Sequence, residues 1–167
     1  MARTLPQRKS PRLQGYDYRQ AGAYFVTLVT WRRIHLFGRV QENEMALTAA
    51  GEIASACWVA LPEHHPGVEL DAFVVMPNHV HGVIFIGNTP NTDMHPPAAS
   101  LGTVIGSYKS GVTRRIRETM ADPGLQVWQG RFHDHIIRDE ADLYRIQTYL
   151  LDNPSRWAED TFYSADG

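Results

Sequence analysis

Short apolar runs rich in β-branched and aromatic residues alternate along the chain with segments of helical periodicity. We predict strands for four such runs, which cover residues 23–31, 68–76, 79–87 and 132–139. Apolar residues recur at helical spacing in three other segments, and we predict helices over 47–61, 101–120 and 140–153. Pro77 and Asn78 form a tight turn between the second and third strands, which therefore make a hairpin.

The resulting order, βαββαβ followed by one more helix, is typical of the ferredoxin-like arrangement. We therefore predict an α+β fold with one antiparallel sheet, helices on one face, and an additional C-terminal helix. Segment 32–44 (RRIHLFGRVQENE) is predicted to be a turn-rich connection. A length of 167 residues suits one domain, which we place at 21–160 behind a basic N-terminal arm at 1–20.

Composition excludes several classes of protein. Cys57 is the only cysteine, so an internal disulfide and a cysteine-based zinc site are excluded. No run approaches the roughly 20 apolar residues of a membrane helix, and the basic N-terminus has no apolar run behind it. We therefore expect a cytoplasmic protein without a membrane partner. The net charge of −2 gives no global argument for nucleic acid, although basic residues cluster at 1–20 and 107–117.

Two histidines interrupt the apolar run VVMPNHVHGVIFI. His79 and His81 are two positions apart on a predicted strand, so their imidazoles share a face and can bind one metal ion. An isolated H-x-H pair is more often structural. His133 and His135 form a second pair of this kind, but Asp134 between them points to the opposite face, which is typical of a polar edge strand. Spacing alone does not separate the two pairs.

The last predicted helix carries Tyr149 and Asn153. Their i,i+4 spacing places both side chains on one helical face, one turn apart. A metal ion that polarises a phosphate, together with a tyrosine that attacks it, would suit phosphodiester cleavage. The plain alternative is that Tyr149 belongs to the core and that Asn153 only ends the helix.

Several motifs together resemble a known family. VVMPNHVHGVI looks like the HUH motif (histidine, hydrophobic residue, histidine) of the single-tyrosine transposases, and YLLDNP looks like their tyrosine helix. The segments DYRQAGAYFVTLVTWRR, LFG, WQGRFHDHIIRDE and NPSRW also resemble this family, especially its REP-associated tyrosine transposases. The resemblance extends from Gly15 to Trp157.

The resemblance implies a metal-dependent single-stranded DNA endonuclease and strand transferase that acts through a 5′-phosphotyrosine, at hairpin or palindromic sites. It implies that His79, His81 and Asn153 bind the metal, Mg²⁺ or Mn²⁺, and that Tyr149 is the nucleophile. Tyr144 ranks second because it lacks the Asn-Pro four residues later. Single-stranded DNA with a hairpin is the implied partner. Some family members are homodimers that share active sites, and the sequence does not decide this point.

We also expect contacts with DNA outside the catalytic residues. Basic side chains of the second helix and the N-terminal arm would bind phosphates. Arg33 lies at a strand end that could face the DNA, and Trp128 could stack on unpaired bases. For Phe132 a core position is the better interpretation. The predicted DNA-binding residues are Arg12, Arg33, Lys109, Arg114, Arg115, Trp128, His133 and His135.

Two other functions stay open. A ferredoxin-like sheet also serves as a non-catalytic nucleic-acid-binding domain, although this sequence lacks the aromatic pattern of the RNA-binding sheets. A small metal hydrolase would use His79, His81 and another histidine. That function needs a third strong ligand and an acidic group that activates water, and the sequence specifies neither.

Overall fold

The computed structural model describes residues 22–87 and 99–165, so Arg12 and the rest of the predicted N-terminal arm lie outside the described residues. The strands are β1 (Gly22–Val29), β2 (Gly38–Gln41), β3 (Glu44–Leu47), β4 (Val68–Met76), β5 (His79–Ile86) and β6 (His133–Ile137). The helices are α1 (Ala49–Val59), α2 (Leu61–His64), α3 (Leu101–Met120) and α4 (Glu140–Asp152). Two 3-10 turns cover Trp31–Arg33 and Pro154–Glu159.

Four strands form one antiparallel sheet in the order β4-β5-β1-β6. Strand β5 lies between β4 and β1, and the helices α1 and α3 connect β1 to β4 and β5 to β6. This topology confirms the predicted ferredoxin-like α+β fold. Strand β6 is an edge strand, as the polar sequence HDHII indicated.

The larger core lies on the face of the sheet covered by α1 and α3. Alternate residues of β1, namely Tyr24, Val26 and Leu28, are fully buried there. Trp58 of α1 lies directly on Gly82 of β5, where a Cβ atom would come within 2.1 Å of the indole ring. The sheet therefore needs glycine at this position so that α1 can approach it.

We expect Gly82→Ala to lower the free energy of unfolding by about 1–3 kcal/mol, because Trp58 is fully buried and its ring must shift. Gly106→Ala in α3 is the matched control, since no described atom lies within 4 Å of the added methyl group. That variant should gain about 0.5–1 kcal/mol from the higher helix propensity of alanine. Urea unfolding of both proteins tests the difference, and equal stability would contradict the close contact.

Helix α4 packs on the opposite face of the sheet. Its buried residues Ile146 and Leu150 contact Val83, and the partly buried Phe25 and Tyr149 pack beside them. The core helices predicted on one face are α1 and α3, and the additional C-terminal helix, whose face the sequence did not predict, covers the other face. The physical reason is that the inner strands are apolar on both faces, so that each face must be covered.

Residues 32–44, between β1 and α1, were predicted as a turn-rich connection, and the structure corrects this prediction because two strands begin there. Strands β2 and β3 form a hairpin in which Gln41 pairs with Glu44. The two residues between them, Glu42 and Asn43, have φ angles of 50° and 66°, the left-handed values that a tight hairpin turn of this type requires. Asparagine tolerates this conformation, but Glu-Asn is a weaker signal than Asn-Gly.

The predicted helix boundaries are close to those observed. Helix α1 begins after Thr48, whose hydroxyl accepts a hydrogen bond from the Gly51 N–H. Pro62, one residue beyond the predicted end of this helix, lies in the first turn of the short α2, where its missing N–H is not needed. Among the helices of residues 22–87 and 99–165, none is long and apolar enough to cross a membrane.

Candidate metal centre and tyrosine site

The first two residues of interest lie on β5, on the face of the sheet that α4 covers. His79 and His81 pair with Val29 and Thr27 of β1. Their side chains are buried, with 0% and 2% exposure, and their ring centroids are 4.4 Å apart. The alternation of the strand thus brings both imidazoles to one place, as the spacing predicted.

Each imidazole uses one ring nitrogen in a hydrogen bond. His81 Nδ1 lies 2.7 Å from Thr27 Oγ1, and His79 Nδ1 lies 2.8 Å from Asn78 Oδ1. The other nitrogens face the C-terminal part of the chain. His81 Nε2 lies 3.3 Å from the Tyr149 hydroxyl, and His79 Nε2 lies 3.8 Å from Asp160 Oδ2.

Helix α4 and the turn that follows it supply the remaining groups. Tyr149 lies in the last turn of α4, and Asn153 is the C-cap of this helix. Burial raises the pKa of Tyr149 to about 12, and the charge of Asp160 adds to this effect. Burial also raises the pKa of Asp160, against the hydrogen bond that its carboxylate accepts from the Phe162 N–H. The phenol and the carboxylate are therefore close enough to influence each other.

Three polar atoms of this cluster are buried without a hydrogen-bond partner among the described residues: His79 Nε2, Asn153 Oδ1 and Asp160 Oδ2. A buried acceptor without a donor costs roughly 1–3 kcal/mol, which a bound cation would offset. The ligand atoms of His79, His81 and Asp160 lie within 4.8 Å of one another. Imidazole and carboxylate donors suit a transition metal such as Mn²⁺ better than Mg²⁺, which prefers oxygen ligands only. These residues therefore fit a divalent metal ion.

Both histidines are in the protonation state that metal binding needs. Burial lowers the pKa of His79 well below its usual value, and the neighbouring His81 and Arg33 lower it further. Burial lowers the pKa of His81 to about 3, with a contribution from His133. The imidazoles are therefore neutral at pH 7, and a neutral ring nitrogen can bind a metal ion.

Sequence reasoning missed Asp160. It lies beyond the 3-10 turn Pro154–Glu159, in a stretch without periodicity, so no spacing rule connects it to the histidines. In the structure Asp160 lies beside the histidines because Phe162, two residues later, is buried with its ring 4.9 Å from the ring of His79. The apolar residue Phe162 in this otherwise polar stretch was an available signal.

The second H-x-H pair lies on the same face of the sheet but serves other contacts. His133 of β6 pairs with Thr27 of β1, which also pairs with His81 of β5, so Thr27 lies between the two histidines in the sheet. His135 Nε2 lies 2.7 Å from Asp142 Oδ2 at the start of α4, and Arg145 contacts the other carboxylate oxygen at 2.9 Å. Burial would raise the pKa of Asp142, but the hydrogen bonds and charges of these two partners outweigh it and lower the pKa.

The basic residues of α3 border a cleft of about 800 Å³ between this helix and the loop 123–130. Lys109, Arg114 and Arg117 line the cleft, whereas Arg115 is an exposed residue outside its lining. Lys109 Nζ donates to the Gln129 carbonyl at 2.6 Å, and burial lowers the pKa of this ammonium group. Among the described residues that line the cleft, three are basic and one, Glu118, is acidic, so its lining is positively charged.

Both aromatic residues considered for base stacking are mostly buried. Trp128 is 8% exposed, its ring packs near Phe37 and Tyr108, and its indole N–H donates to the Lys109 carbonyl. Phe132 is 7% exposed and belongs to the same core. These positions favour the core interpretation of both residues over stacking on bases.

Of two further residues predicted from the sequence, Tyr144 lies outside the histidine cluster and Arg33 lies near it. Tyr144 is 71% exposed on α4, so it is not part of the buried cluster. Arg33 is exposed at the end of β1, and its guanidinium lies 5.3 Å from the centre of the Phe162 ring. Arg33 is also near enough to His79 and His133 to lower the pKa of each.

Comparisons with known proteins support the resemblance found in the sequence. No family model matches the chain. An uncharacterized protein of Haemophilus influenzae is 33% identical over 172 aligned positions, covering 95% of this chain and 94% of the relative. A "Putative REP-associated tyrosine transposase" of the same organism is 26% identical, covering 83% of this chain and 73% of the relative. A solved structure of a REP-associated tyrosine transposase bound to a REP hairpin has a TM-score of 0.61 at 22% identity, covering 87% of this chain and 73% of that one.

Proposed function

This chain is a relative of the REP-associated tyrosine transposases, and on that premise we propose that it is a metal-dependent endonuclease and strand transferase of single-stranded DNA. One observation carries the proposal. The Tyr149 hydroxyl lies 3.3 Å from His81 Nε2, inside a buried cluster in which three polar atoms have no hydrogen-bond partner among the residues that the structure describes. A nucleophile beside a cation site is what phosphodiester cleavage by a tyrosine requires.

In the proposed reaction the Tyr149 oxygen attacks the phosphorus of a DNA phosphodiester. A bond forms between this oxygen and the 5′-phosphate, the bond from phosphorus to the 3′ oxygen breaks, and the phenol proton ends on the released 3′-hydroxyl. Reversal with a second 3′-hydroxyl reseals a strand, which is strand transfer. At pH 7 a phenol with a pKa of about 12 is almost entirely neutral, so attack needs an environment that favours loss of its proton.

The metal-binding part of the proposal assigns His79, His81, Asp160 and Asn153 as ligands. A bound divalent cation would neutralise charge that develops on the phosphate. The sequence-based ligand set of His79, His81 and Asn153 thus gains a carboxylate, which brings negative charge to a site otherwise formed by neutral donors. We propose Mn²⁺ as the preferred ion because of the two imidazoles.

We further propose that the substrate combines an unpaired strand with a hairpin. The related solved protein is bound to a REP hairpin. In this chain the cleft beside α3 offers Lys109, Arg114 and Arg117 to backbone phosphates, with Arg115 exposed nearby. Arg33, His133 and His135 would contact the strand close to the tyrosine, since all three lie on or beside the face of the sheet that carries His81.

The assembly and the compartment stay predictions. Tyr149, Asn153 and Asp160 reach His79 and His81 within one chain, which supports a catalytic site complete in one protomer. A homodimer with exchanged tyrosine helices is therefore not needed for this chemistry. We propose the cytoplasm as the compartment because DNA is the proposed substrate.

Covalent capture tests the proposed function. The full-length protein is mixed with Mn²⁺ and a pool of single-stranded oligonucleotides in which hairpins flank random sequence, then denatured and analysed by mass spectrometry. We expect a nucleotide adduct on Tyr149. The same sequences annealed into blunt duplexes are the control and should give little adduct, because the scissile strand is then paired. Equal capture of duplex, or DNA binding without any adduct on single strands, would count against the proposal.

The carboxylate of Asp160 also favours a second candidate function, a metal hydrolase in which water is the nucleophile. Two histidines and one carboxylate are a ligand set found in hydrolytic metal sites. In that case the tyrosine would not form an adduct, and its removal would leave hydrolysis intact. The Tyr149 variant described in the Discussion separates the two functions.

A further inference from the structure

We infer that Asn78 is a positioning residue that decides which nitrogen of His79 faces the candidate metal centre and that also holds the C-terminal turn carrying Asp160. The inference rests on the metal centre of the proposed function. Asn78 is fully buried in the turn between β4 and β5, next to His79 in sequence. A fully buried amide must use its donors and its acceptor, so its partners reveal its orientation.

The amide nitrogen of Asn78 has two backbone partners. It donates to the Phe162 carbonyl at 2.7 Å and to the Arg33 carbonyl at 3.3 Å. Carbonyl oxygens only accept hydrogen bonds, so the NH₂ group must point toward them. The oxygen Oδ1 is therefore the atom that points toward His79 Nδ1, at 2.8 Å.

This orientation determines the tautomer of His79. Because Oδ1 of an amide only accepts, Nδ1 of the neutral imidazole must carry the proton. Nε2 then presents a lone pair toward Asp160 Oδ2, which is 3.8 Å away and also an acceptor when the carboxylate is ionised. Two facing acceptors without a donor are an unfavourable pair until a cation lies between them. The amide thus prepares His79 to bind a metal ion.

His81 provides a contrast within the same site. Its Nδ1 lies 2.7 Å from the hydroxyl of Thr27, and a hydroxyl can either donate or accept. Thr27 therefore does not determine the tautomer of His81. Of the two imidazoles, only His79 has a partner that is restricted to accepting.

The same amide also holds the second ligand-bearing segment. Asn78 and Phe162 are 84 positions apart in sequence, and their hydrogen bond fastens the C-terminal turn to the hairpin turn. The N–H of Phe162 in turn donates to Asp160 Oδ1 at 2.7 Å, which leaves Oδ2 directed at His79. One side chain therefore sets the orientation of His79 directly and that of Asp160 through the Phe162 backbone.

The turn around Asn78 is itself held in place by the end of β1. The Asn78 carbonyl accepts from the Thr30 N–H at 2.9 Å and from the Thr30 hydroxyl at 3.0 Å. Arg32 and Arg33, which follow, have φ angles of 53° and 57°, values that residues with side chains rarely adopt. Such strain persists only where the surroundings enforce it. The hydrogen bond from Asn78 to the Arg33 carbonyl is one of the contacts that do so.

The nitrogen that carries the proton of His79 can be measured directly. Full-length protein labelled with ¹⁵N-histidine, free of metal and at neutral pH, gives long-range ¹H–¹⁵N spectra that distinguish the two tautomers. We expect the proton of His79 on Nδ1 in the wild-type protein. In Asn78→Ala the preference should disappear, and Mn²⁺ affinity measured by electron paramagnetic resonance should fall about 10–100-fold.

Thr27→Val is the matched control, since it removes a partner of His81 while leaving the bonds from Asn78 to His79 and Phe162 in place. It should leave the tautomer of His79 unchanged. A wild-type proton on Nε2 of His79, or Asn78→Ala with the wild-type tautomer and Mn²⁺ affinity, would overturn the inference. The wild-type spectrum alone decides the tautomer, so the inference stays testable even where Asn78→Ala fails to fold.

These measurements are independent of DNA cleavage. The expected tautomer and the expected loss of Mn²⁺ affinity support the inference even in a protein that forms no adduct on Tyr149, a result that would contradict only the proposed transposase function. The expected tautomer in a wild-type protein that binds no Mn²⁺ would overturn the role of Asn78 in metal binding together with the proposed metal centre.

Discussion

Tyr149→Phe should abolish both the covalent adduct and the cleavage of single-stranded hairpin DNA, with a loss of cleavage rate of at least about 10⁴-fold. The variant lacks the only atom that we propose to attack the phosphate, while its ring keeps the edge-on packing against Phe25 at 6.2 Å. Affinity for the same DNA should stay close to that of the wild type, because the residues that we propose to bind the DNA backbone are cationic and lie outside the tyrosine. Single-turnover cleavage and gel-shift binding measure the two quantities.

Tyr144→Phe is the matched control for this experiment. It removes a hydroxyl from the same helix, but at a position with 71% exposure rather than in the buried cluster. We expect wild-type cleavage from this variant. Full cleavage by Tyr149→Phe without an adduct would favour a water nucleophile and the hydrolase function, and loss of cleavage in Tyr144→Phe alone would assign the nucleophile to the other tyrosine.

The environment of Tyr149 explains why a large effect is expected. Burial and the nearby Asp160 carboxylate hold the phenol in its neutral form, with a pKa of about 12. A neutral phenol is a poor nucleophile at pH 7. A cation near His79 and Asp160 would reverse the sign of the local charge, and both the ionisation of the phenol and the charge on the phosphate would then become favourable. On this proposal, Tyr149 would become reactive only once a metal ion is bound.

The fold could be predicted from the sequence wherever local pattern and tertiary burial agree. Strands β4 and β5 are apolar runs joined by Pro77 and Asn78, and helix α3 begins at a serine cap, so their boundaries agree with the prediction within one or two residues. The hairpin of β2 and β3 was missed because each strand has only four residues and is not strongly apolar. This hairpin is stabilised by the pairing of its two strands and by contacts with the core, and neither is visible in the periodicity of the sequence.

The position of α4 shows a different limit of the sequence. Its apolar stripe predicted a helix but not the face of the sheet against which it packs. Val83 and Phe25 leave an apolar surface beside the histidines, and Ile146 and Leu150 cover it. Because the choice of face depends on strands far away in sequence, it follows from the assembled sheet and not from the helix itself.

Some residues of the candidate site could be predicted from the sequence, and others could not. His79 and His81 could be paired from strand alternation, and Tyr149 with Asn153 from helical spacing, because each pair lies within one element. Asp160 and Asn78 could not, since their roles depend on contacts between segments that are distant in sequence. Trp128 was predicted to stack on bases, but the isolated sequence does not reveal that Phe37 and Tyr108 already enclose its ring.

His79→Ala should weaken Mn²⁺ binding by at least about 100-fold, more than the loss of a residue that only orients a ligand. The imidazole of His79 is fully buried, and its Nε2 has no hydrogen-bond partner in the described part of the chain, so this atom is available to the proposed metal ion. Mn²⁺ titration followed by electron paramagnetic resonance, without DNA, measures the change. Cleavage of single-stranded DNA should fall with metal occupancy and recover partly at high Mn²⁺ concentration.

His133→Ala is the matched control, because it removes a histidine from the rival H-x-H pair on the same face of the sheet. Burial and Arg33 lower the pKa of His133, so this imidazole is also neutral at pH 7 and could in principle bind metal. It lies outside the group formed by His79, His81 and Asp160, and we therefore expect Mn²⁺ affinity close to that of the wild type. A large loss of Mn²⁺ affinity in His133→Ala, with none in His79→Ala, would place the metal centre on β6. There His135 already contacts Asp142. The proposed nucleophile Tyr149, which lies beside His81, would then no longer be next to the metal ion.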